Sequence, residues 1–344
     1  MKTLESGLPP HRRPAVSVAG HMQRVLLALI PAIIAHAWFF GWGVLIQLLL
    51  AIGFALIFES LMLRLRGLPL SRHLGDGSSL VAAALFALCL PPLAPWWISA
   101  IGMLFAIVIA KQLYGGLGFN LFNPAMVGLA AVIIAFPDAM SHWLAPRGLS
   151  NGPPSLADTL QAILTGQLPS SLDWNALSTA TPLDALRTGL QSHLSTREIL
   201  EQPVFSALGG PGWGIIALAY LAGGLWLLQQ GVIRWQAPVA VLLVTTVISV
   251  TGWLMSPDSG FPPGQQLFAG SLMMAAFFIV TDPVSGSSTP RGRLIFGAGV
   301  AVITLLIRQY GAYPDGVAYA VLLMNLLVPL IDRYTQPRPY GVNR

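Results

Sequence analysis

Residues 24–63 read RVLLALIPAIIAHAWFFGWGVLIQLLLAIGFALIFESLML, and this stretch decides the fold class. Its only full charges are Arg24 and Glu59, near its two ends, and Gly41 separates two apolar runs, 24–40 and 42–63. A helix crossing the hydrocarbon core of a bilayer needs about 20 mostly apolar residues, so the two runs read as consecutive spanning helices. The rest of the chain has the same character. Of 344 residues 9% are charged and 55% hydrophobic, and the mean hydropathy is +0.70. A soluble globular chain carries about 25% charged residues to cover its surface. The composition therefore excludes a soluble enzyme, a disordered chain, a coiled coil and a disulfide scaffold, and points to an all-α membrane protein.

The net charge of +5 does not indicate a nucleic-acid partner, because 18 Lys and Arg spread over 344 residues cannot form a dense basic face. The single cysteine, Cys89, rules out an intrachain disulfide. It also rules out an iron–sulfur cluster held by this chain alone, which takes about four thiolates. Cys89 reads as a small buried apolar residue. His36 is the one histidine well inside an apolar run, and reads as a packed polar contact rather than a haem ligand.

Ten segments have the length and polarity of spans: 24–40, 42–63, 78–93, 95–113, 119–137, 212–230, 237–255, 265–281, 294–310 and 314–331. Several are interrupted. The third ends in Pro91-Pro92, the fifth contains Asn120 and Asn123-Pro124, and the eighth is bounded by Pro262-Pro263 and Asp282-Pro283. Broken helices survive in a bilayer only where neighbours or a cavity satisfy the freed backbone groups, and they point to ligand or ion sites. Basic residues set the orientation. With the N-terminus cytoplasmic, inner segments hold Lys2, Arg12, Arg13, Arg24, Arg64, Arg66, Arg72, Lys111, Arg234, Arg291, Arg293, Arg333, Arg338 and Arg344, against Arg147, Arg187, Arg197 and Arg308 outside. Both termini are expected in the cytoplasm. Ala35-His36-Ala37 has the form of a signal-peptide cleavage site, but the apolar run continues through Trp38-Phe39-Phe40, which favours an uncleaved helix.

The two halves resemble one another. Ile109-Ala110-Lys111-Gln112-Leu113-Tyr114-Gly115-Gly116 matches Leu306-Ile307-Arg308-Gln309-Tyr310-Gly311-Ala312, and Gly77-x-x-Leu80 matches Gly264-x-x-Leu267. With five spans in each half, a duplicated unit must sit inverted, which is a transporter-type architecture. The expected organisation is a cytoplasmic segment 1–23, a five-helix repeat 24–137, an extracytoplasmic loop 138–211, a second repeat 212–331 and a cytoplasmic tail 332–344.

The loop contains Asp173-Trp174-Asn175-Ala176-Leu177-Ser178-Thr179-Ala180-Thr181-Pro182-Leu183-Asp184. Locally this is a helix start, with Thr181 as N-cap, Pro182 at the first helical position and Asp184 in the first turn. A hydroxyl at a helix N-terminus is also a favourable place for a phosphoester, whose charge the exposed N–H groups and the helix dipole stabilise. The Ser178-Thr179-Ala180-Thr181 string resembles the Ser/Thr-x-Ala-Thr motif at which flavin transferases attach FMN through its phosphate to the final threonine. Further similarity lies in Asn123-Pro124-Ala125-Met126, Thr281-Asp282-Pro283-Val284-Ser285-Gly286 and Tyr310-Gly311-Ala312-Tyr313-Pro314-Asp315-Gly316-Val317-Ala318. With them, essentially the whole chain is similar to the NqrB/RnfD family. That family joins RnfD of the Rnf ion-translocating electron-transport complex with NqrB of the sodium-pumping NADH:quinone reductase.

That resemblance implies one member of a multi-protein complex in the bacterial inner membrane. The complex would couple electron transfer between ferredoxin and NAD to ion translocation. It implies covalent FMN on Thr181, with Ser178 beside it, and room for a second, noncovalent flavin in the membrane part. It implies a flavin transferase as partner in maturation, acting outside the cytoplasm, where the charge count places Thr181. The motif usually has Gly where this chain has Thr179, a position at which Gly would ease a turn. The chain has neither a phosphate-binding Gly-Lys-Ser/Thr loop nor a convincing dinucleotide fingerprint, so other subunits must handle NAD and the clusters. Ser285-Gly286-Ser287-Ser288-Thr289 looks loosely like the same string, but it lies beside Arg291 and Arg293 and reads as a Gly/Ser loop.

Ionisable and amide groups at membrane depth are the remaining candidates. Glu59, Asp76, Asp282 and Asp332 sit at segment ends near Arg64, Arg72, Arg291 and Arg333, where interfacial pairing and helix capping are the plain expectation. Asp76 and Asp282 are also candidate neighbours of a flavin or an ion. Asn120, Asn123 and Asn325 could serve the same role, or could pair with backbone groups freed beside Pro124 and Pro329. The tryptophans near segment ends, Trp143 and Trp213 among them, read as interfacial anchors in contact with lipid. The span pattern alone equally permits a solute channel or secondary transporter without flavin, or an assembly subunit without cofactor. The loop motif and the whole-chain resemblance favour the redox subunit.

Overall fold

The computed structural model describes residues 17–150, 152–169 and 173–337. The basic residues Lys2, Arg12, Arg13, Arg338 and Arg344, with most of both terminal segments, lie outside the described residues. Within them every ordered element is a helix, and pairing of extended chain is confined to isolated bridges.

All ten apolar segments fall on helices, with altered bounds. α1 (Val18–Phe40) starts earlier than its apolar run because Ser17 caps it, accepting from the Gly20 N–H. Arg24 therefore lies inside the helix rather than ahead of it. Gly41, at φ +76°, turns the chain into α2 (Trp42–Leu65). A side chain there would also meet Pro153. Short α3 (Leu70–Leu74) leads to α4 (Ser78–Ala87), which stops ahead of Pro91-Pro92. α5 (Trp96–Met103) continues into a π-helical stretch, Leu104–Gln112. The expected fifth span shrinks to α6 (Pro124–Ala135), 12 residues capped by Asn123. At 1.5 Å per residue it is about 18 Å long, too short for a core of roughly 30 Å.

The large loop forms α7 (Pro137–Ser141), α8 (Leu156–Thr165), α9 (Trp174–Leu177), α10 (Pro182–Gln191) and α11 (Thr196–Leu200). α12 (Trp213–Gln229) and α13 (Gln236–Met255) follow. The eighth segment is not one span. It divides into α14 (Pro263–Phe268) and α15 (Leu272–Met274), the latter running into a π-helical stretch Ala275–Ile279. The break is at Gly270, φ +71°. α16 (Pro290–Tyr310) and α17 (Val317–Thr335) end the bundle. Among the described residues five helices, α1, α2, α13, α16 and α17, are long and apolar enough to cross a membrane, and the shorter apolar helices pack among them.

Packing follows the internal repeat. α1 lies against α12 and α6 against α17, so the first and fifth helices of one half meet their counterparts in the other. Within each half the second helix packs on the third and fourth segments, α2 on α4 and α5 and α13 on α14 and α16. Small residues let these helices approach closely: a Cβ on Gly223 would lie 2.1 Å from the Ala28 carbonyl, and one on Gly128 2.4 Å from the Gly102 carbonyl.

Two ion pairs with buried cations tie the broken helices down, one in each half. Lys111 Nζ lies 2.8 Å from Glu59 Oε1 and also donates to Ser78 and Ser79 at the start of α4. Its counterpart Arg308 is fully buried, donates to Asp315 Oδ1 at 3.1 and 3.2 Å, and donates to the Gln266 and Ala269 carbonyls around the α14–α15 break. Neither cation is a free interfacial charge, so neither reports orientation; without them the basic count is thirteen against three. Among the described residues these are also the two ion pairs, which corrects the expected pairing of four acids with nearby arginines. Asp76 accepts from the Ser78 N–H and hydroxyl, Asp282 from the Val284 N–H and the Ser285 hydroxyl, and Asp332 from Ser287 and Ser288. Asp76 and Asp282 accept from donors two or three residues on, and Asp332 from a turn about 45 residues earlier in the chain, so short polar donors rather than guanidiniums satisfy all three.

Candidate functional site

Thr181 is the N-cap of α10: its backbone is extended, its hydroxyl accepts from the Asp184 N–H at 3.3 Å, and Pro182 fills the first turn. The segment before it is held by a short antiparallel contact with the chain after α7. Leu144 bridges Ser178, the Ala145 N–H donates to Leu177 O at 2.8 Å, and the Thr179 N–H donates to Trp143 O at 2.9 Å. The Ser178 hydroxyl turns back on the Trp174 carbonyl. Thr179 does not have a positive φ, so this chain needs no glycine there.

The loop is itself folded. Leu186 of α10, Ile199 of α11 and Phe261 form a small core, and the Thr196 N–H donates to Asp258 O at 2.8 Å. Arg187 donates to the Ala312 carbonyl. These contacts press α10 onto the bundle and leave Thr181 at the edge of a cavity of about 380 Å³, within the roughly 300–1,000 Å³ ordinary for small-molecule sites.

The cavity runs inward from the loop. Thr181, Asp184, Arg187, Trp143 and Trp213 line its loop end, and His36 and Tyr220 line it further down. Trp213 and Tyr220 are seven positions apart on α12, about 10 Å along the axis. The lining residues Trp143, Trp213 and His36 are joined through Phe40, buried behind them, with centroids 5.2 Å apart for Trp143 and Trp213, 5.1 Å for Trp213 and Phe40, and 6.0 Å for Phe40 and His36. Trp143 and Trp213 are thus cavity walls rather than lipid anchors, and Trp213 is 8% exposed. Cys89 is half-buried because one side of it faces the same space. The α14–α15 break also lines the cavity, and there Ser271 donates to Asp315 from both N–H and hydroxyl at 2.7 Å. Burial pushes the Asp184 carboxyl above the usual carboxylate range, against the opposing pull of Arg187.

The residues present fit a tethered flavin. The walls are largely apolar, a helix N-terminus stands at the hydroxyl that would carry the phosphate, Arg187 lines the same cavity, and hydrogen-bonding side chains lie inside. None of the other sequence candidates lines this cavity. Asn123, at the far end of α6, donates through its amide toward Asp282 Oδ2 at 3.4 Å, and its N–H donates to Asn325 Oδ1 at 3.1 Å. Asn325 in turn donates to Ser285 O. This polar cluster joins the two halves. Asn120 donates to Phe122 O. Thr289, in the second Ser/Thr string, caps α16 by accepting from the Gly292 N–H. His36, Tyr220, Arg187 and Ser271 were not singled out from sequence as cofactor neighbours. Only His36 carried a signal, as the lone histidine in an apolar run.

Helices long enough to cross a bilayer, broken helices between them and an apolar cavity closed by the large loop define a multi-pass membrane protein with an internal ligand-sized site. The chain belongs to the NQR2, RnfD, RnfE family, whose model matches residues 6–341. It is 51% identical over 328 residues to the D subunit of the ion-translocating oxidoreductase complex of Escherichia fergusonii, covering 93% of each chain. It is 50% identical to the protein of that description from Cronobacter sakazakii, covering 93% of this chain and 94% of that one. The counterpart in Escherichia coli O127:H6 is 49% identical, again over 93% of each.

Proposed function

We propose that this chain is the membrane flavoprotein subunit of a complex that couples electron transfer to ion translocation, and that FMN is esterified through its phosphate to Thr181. The single observation carrying the flavin is that Thr181 is both the N-cap of α10 and part of the cavity lining. A phosphoester there has the α10 N–H groups to stabilise its charge, Arg187 adds a positive charge to the same cavity, and the cavity receives the ring. The raised Asp184 carboxyl takes up a proton more readily than usual, which lessens repulsion of an adjacent phosphate. The names of the relatives support the coupling to ion translocation. In this reading all ten segments belong to the membrane as two inverted five-helix repeats with cytoplasmic termini in the bacterial inner membrane, and residues 138–211 face outward, where the flavin transferase acts. Partner subunits supply the iron–sulfur clusters and the NAD site, and a second, noncovalent flavin has its place in the membrane part.

Fluorescence of the denatured band tests the acceptor. Protein co-produced with a flavin transferase should fluoresce after electrophoresis, and Thr181→Ala should be dark. Equal brightness in both would overturn the assignment. A dark wild-type band would shift weight to a channel or transporter without flavin.

A further inference from the structure

Beyond its loop end, the cavity has little to offer a polar ligand. Asp315 is committed to Arg308 and Ser271, and the surrounding wall is mainly aliphatic and aromatic. The exception is a pair of facing side chains from the two halves. Tyr220 Oη of α12 lies 3.2 Å from His36 Nε2 of α1, with the rings edge-on at 5.9 Å. Both residues are 4% exposed. Among the described residues neither side chain makes another hydrogen bond, so Tyr220 keeps spare capacity at its hydroxyl and His36 has Nδ1 free. Polar groups in an apolar helix face are costly unless they serve a polar partner.

A flavin ring has an apolar benzenoid edge and a pyrimidine edge with two carbonyls and ring nitrogens. Buried in this cavity, that second edge loses water and must find protein donors and acceptors. The spacing fits: Trp143 and Trp213 flank the loop end beside Thr181, and the His36–Tyr220 pair lies about 10 Å further along α12, on the scale of a three-ring system hung from its phosphate. We propose that His36 and Tyr220 are positioning residues that hydrogen-bond the pyrimidine edge of the flavin and fix the ring between the two halves. This inference rests on the covalent flavin reading above.

The test uses full-length protein, co-produced with a flavin transferase and purified in detergent, as wild type, His36→Leu, His36→Gln and Tyr220→Phe. Gel fluorescence should stay as bright as wild type in all three variants, because the ester at Thr181 is remote from the pair. In the folded proteins, His36→Leu and Tyr220→Phe should each lose the resolved shoulder of the flavin absorption band and shift its midpoint potential. His36→Gln, which restores a donor and an acceptor, should return both toward wild type. Bright, folded variants with spectra and potentials identical to wild type would overturn the positioning role and leave the covalent reading intact. A dark wild-type band would overturn both together. Should His36→Leu not fold, Tyr220→Phe, which keeps the ring and removes only the hydroxyl, decides the matter.

Discussion

Replacing Arg308 with methionine removes a fully buried guanidinium that donates to Asp315 Oδ1, to the carbonyl and side chain of Gln266 and to the Ala269 carbonyl. Methionine fills much of the volume but leaves Asp315 with only its Ser271 donors and uncovers two carbonyls at the α14–α15 break. Breaking a buried pair from one side costs about 3–5 kcal/mol, because the remaining charge stays uncompensated. With an unfolding entropy of about 2.1 cal/mol/K per residue, the expected loss is on the order of 4–7 °C in Tm for detergent-purified protein, read by tryptophan fluorescence or differential scanning. Neutralising the partner as well should return part of that loss, so Arg308→Met with Asp315→Asn is expected to be more stable than Arg308→Met alone. The mutant cycle isolates this coupling. A single-variant shift below about 1 °C, or strictly additive losses, would refute the assignment of Arg308 as the buried clamp of the broken helix.

Asp184→Asn should raise Tm at pH 7 more than at pH 4. Burial lifts the folded-state pKa above its unfolded value, so the native chain holds a proton that the unfolded chain has released, and stability falls as pH rises through that window; an equal gain at both pH values would contradict this. Thr179→Gly should cost about 0.4–1 kcal/mol by loosening the unfolded chain and should not raise flavin loading, since Thr179 is not in the left-handed region; higher loading would show that the departure from the usual glycine matters. Gly128→Ala places a Cβ 2.4 Å from the Gly102 carbonyl and should cost about 1–3 kcal/mol by overpacking α6 on α5. Gly53→Ala, with nothing within 4 Å, should be neutral or slightly stabilising, and equal Tm losses in the two variants would argue against that close approach.

The start of α10 was legible because capping is local: a threonine, a proline in the first turn and an acid after it satisfy neighbouring N–H groups whatever surrounds them. The interruptions at Asn123-Pro124 and after α4 were legible for the same reason. The break at Gly270 was not, because the backbone on either side of it is held by Arg308 and Asp315 from elsewhere in the chain. The roles of Trp143 and Trp213 were also hidden. A tryptophan near a segment end looks the same in sequence whether it faces lipid or a cavity.

Composition and apolar length by themselves determined that the chain is helical and belongs to a bilayer, since low charge and runs near 20 residues leave few other ways to satisfy the backbone. They also located the threonine at which a helix begins in the large loop. Only the tertiary structure decided that this threonine opens onto an internal cavity, that Lys111 and Arg308 are buried clamps rather than surface charges, and that His36 meets Tyr220 across the two halves. Those facts depend on helices distant in sequence packing side by side, and the local pattern around each residue carries no record of its neighbours in space.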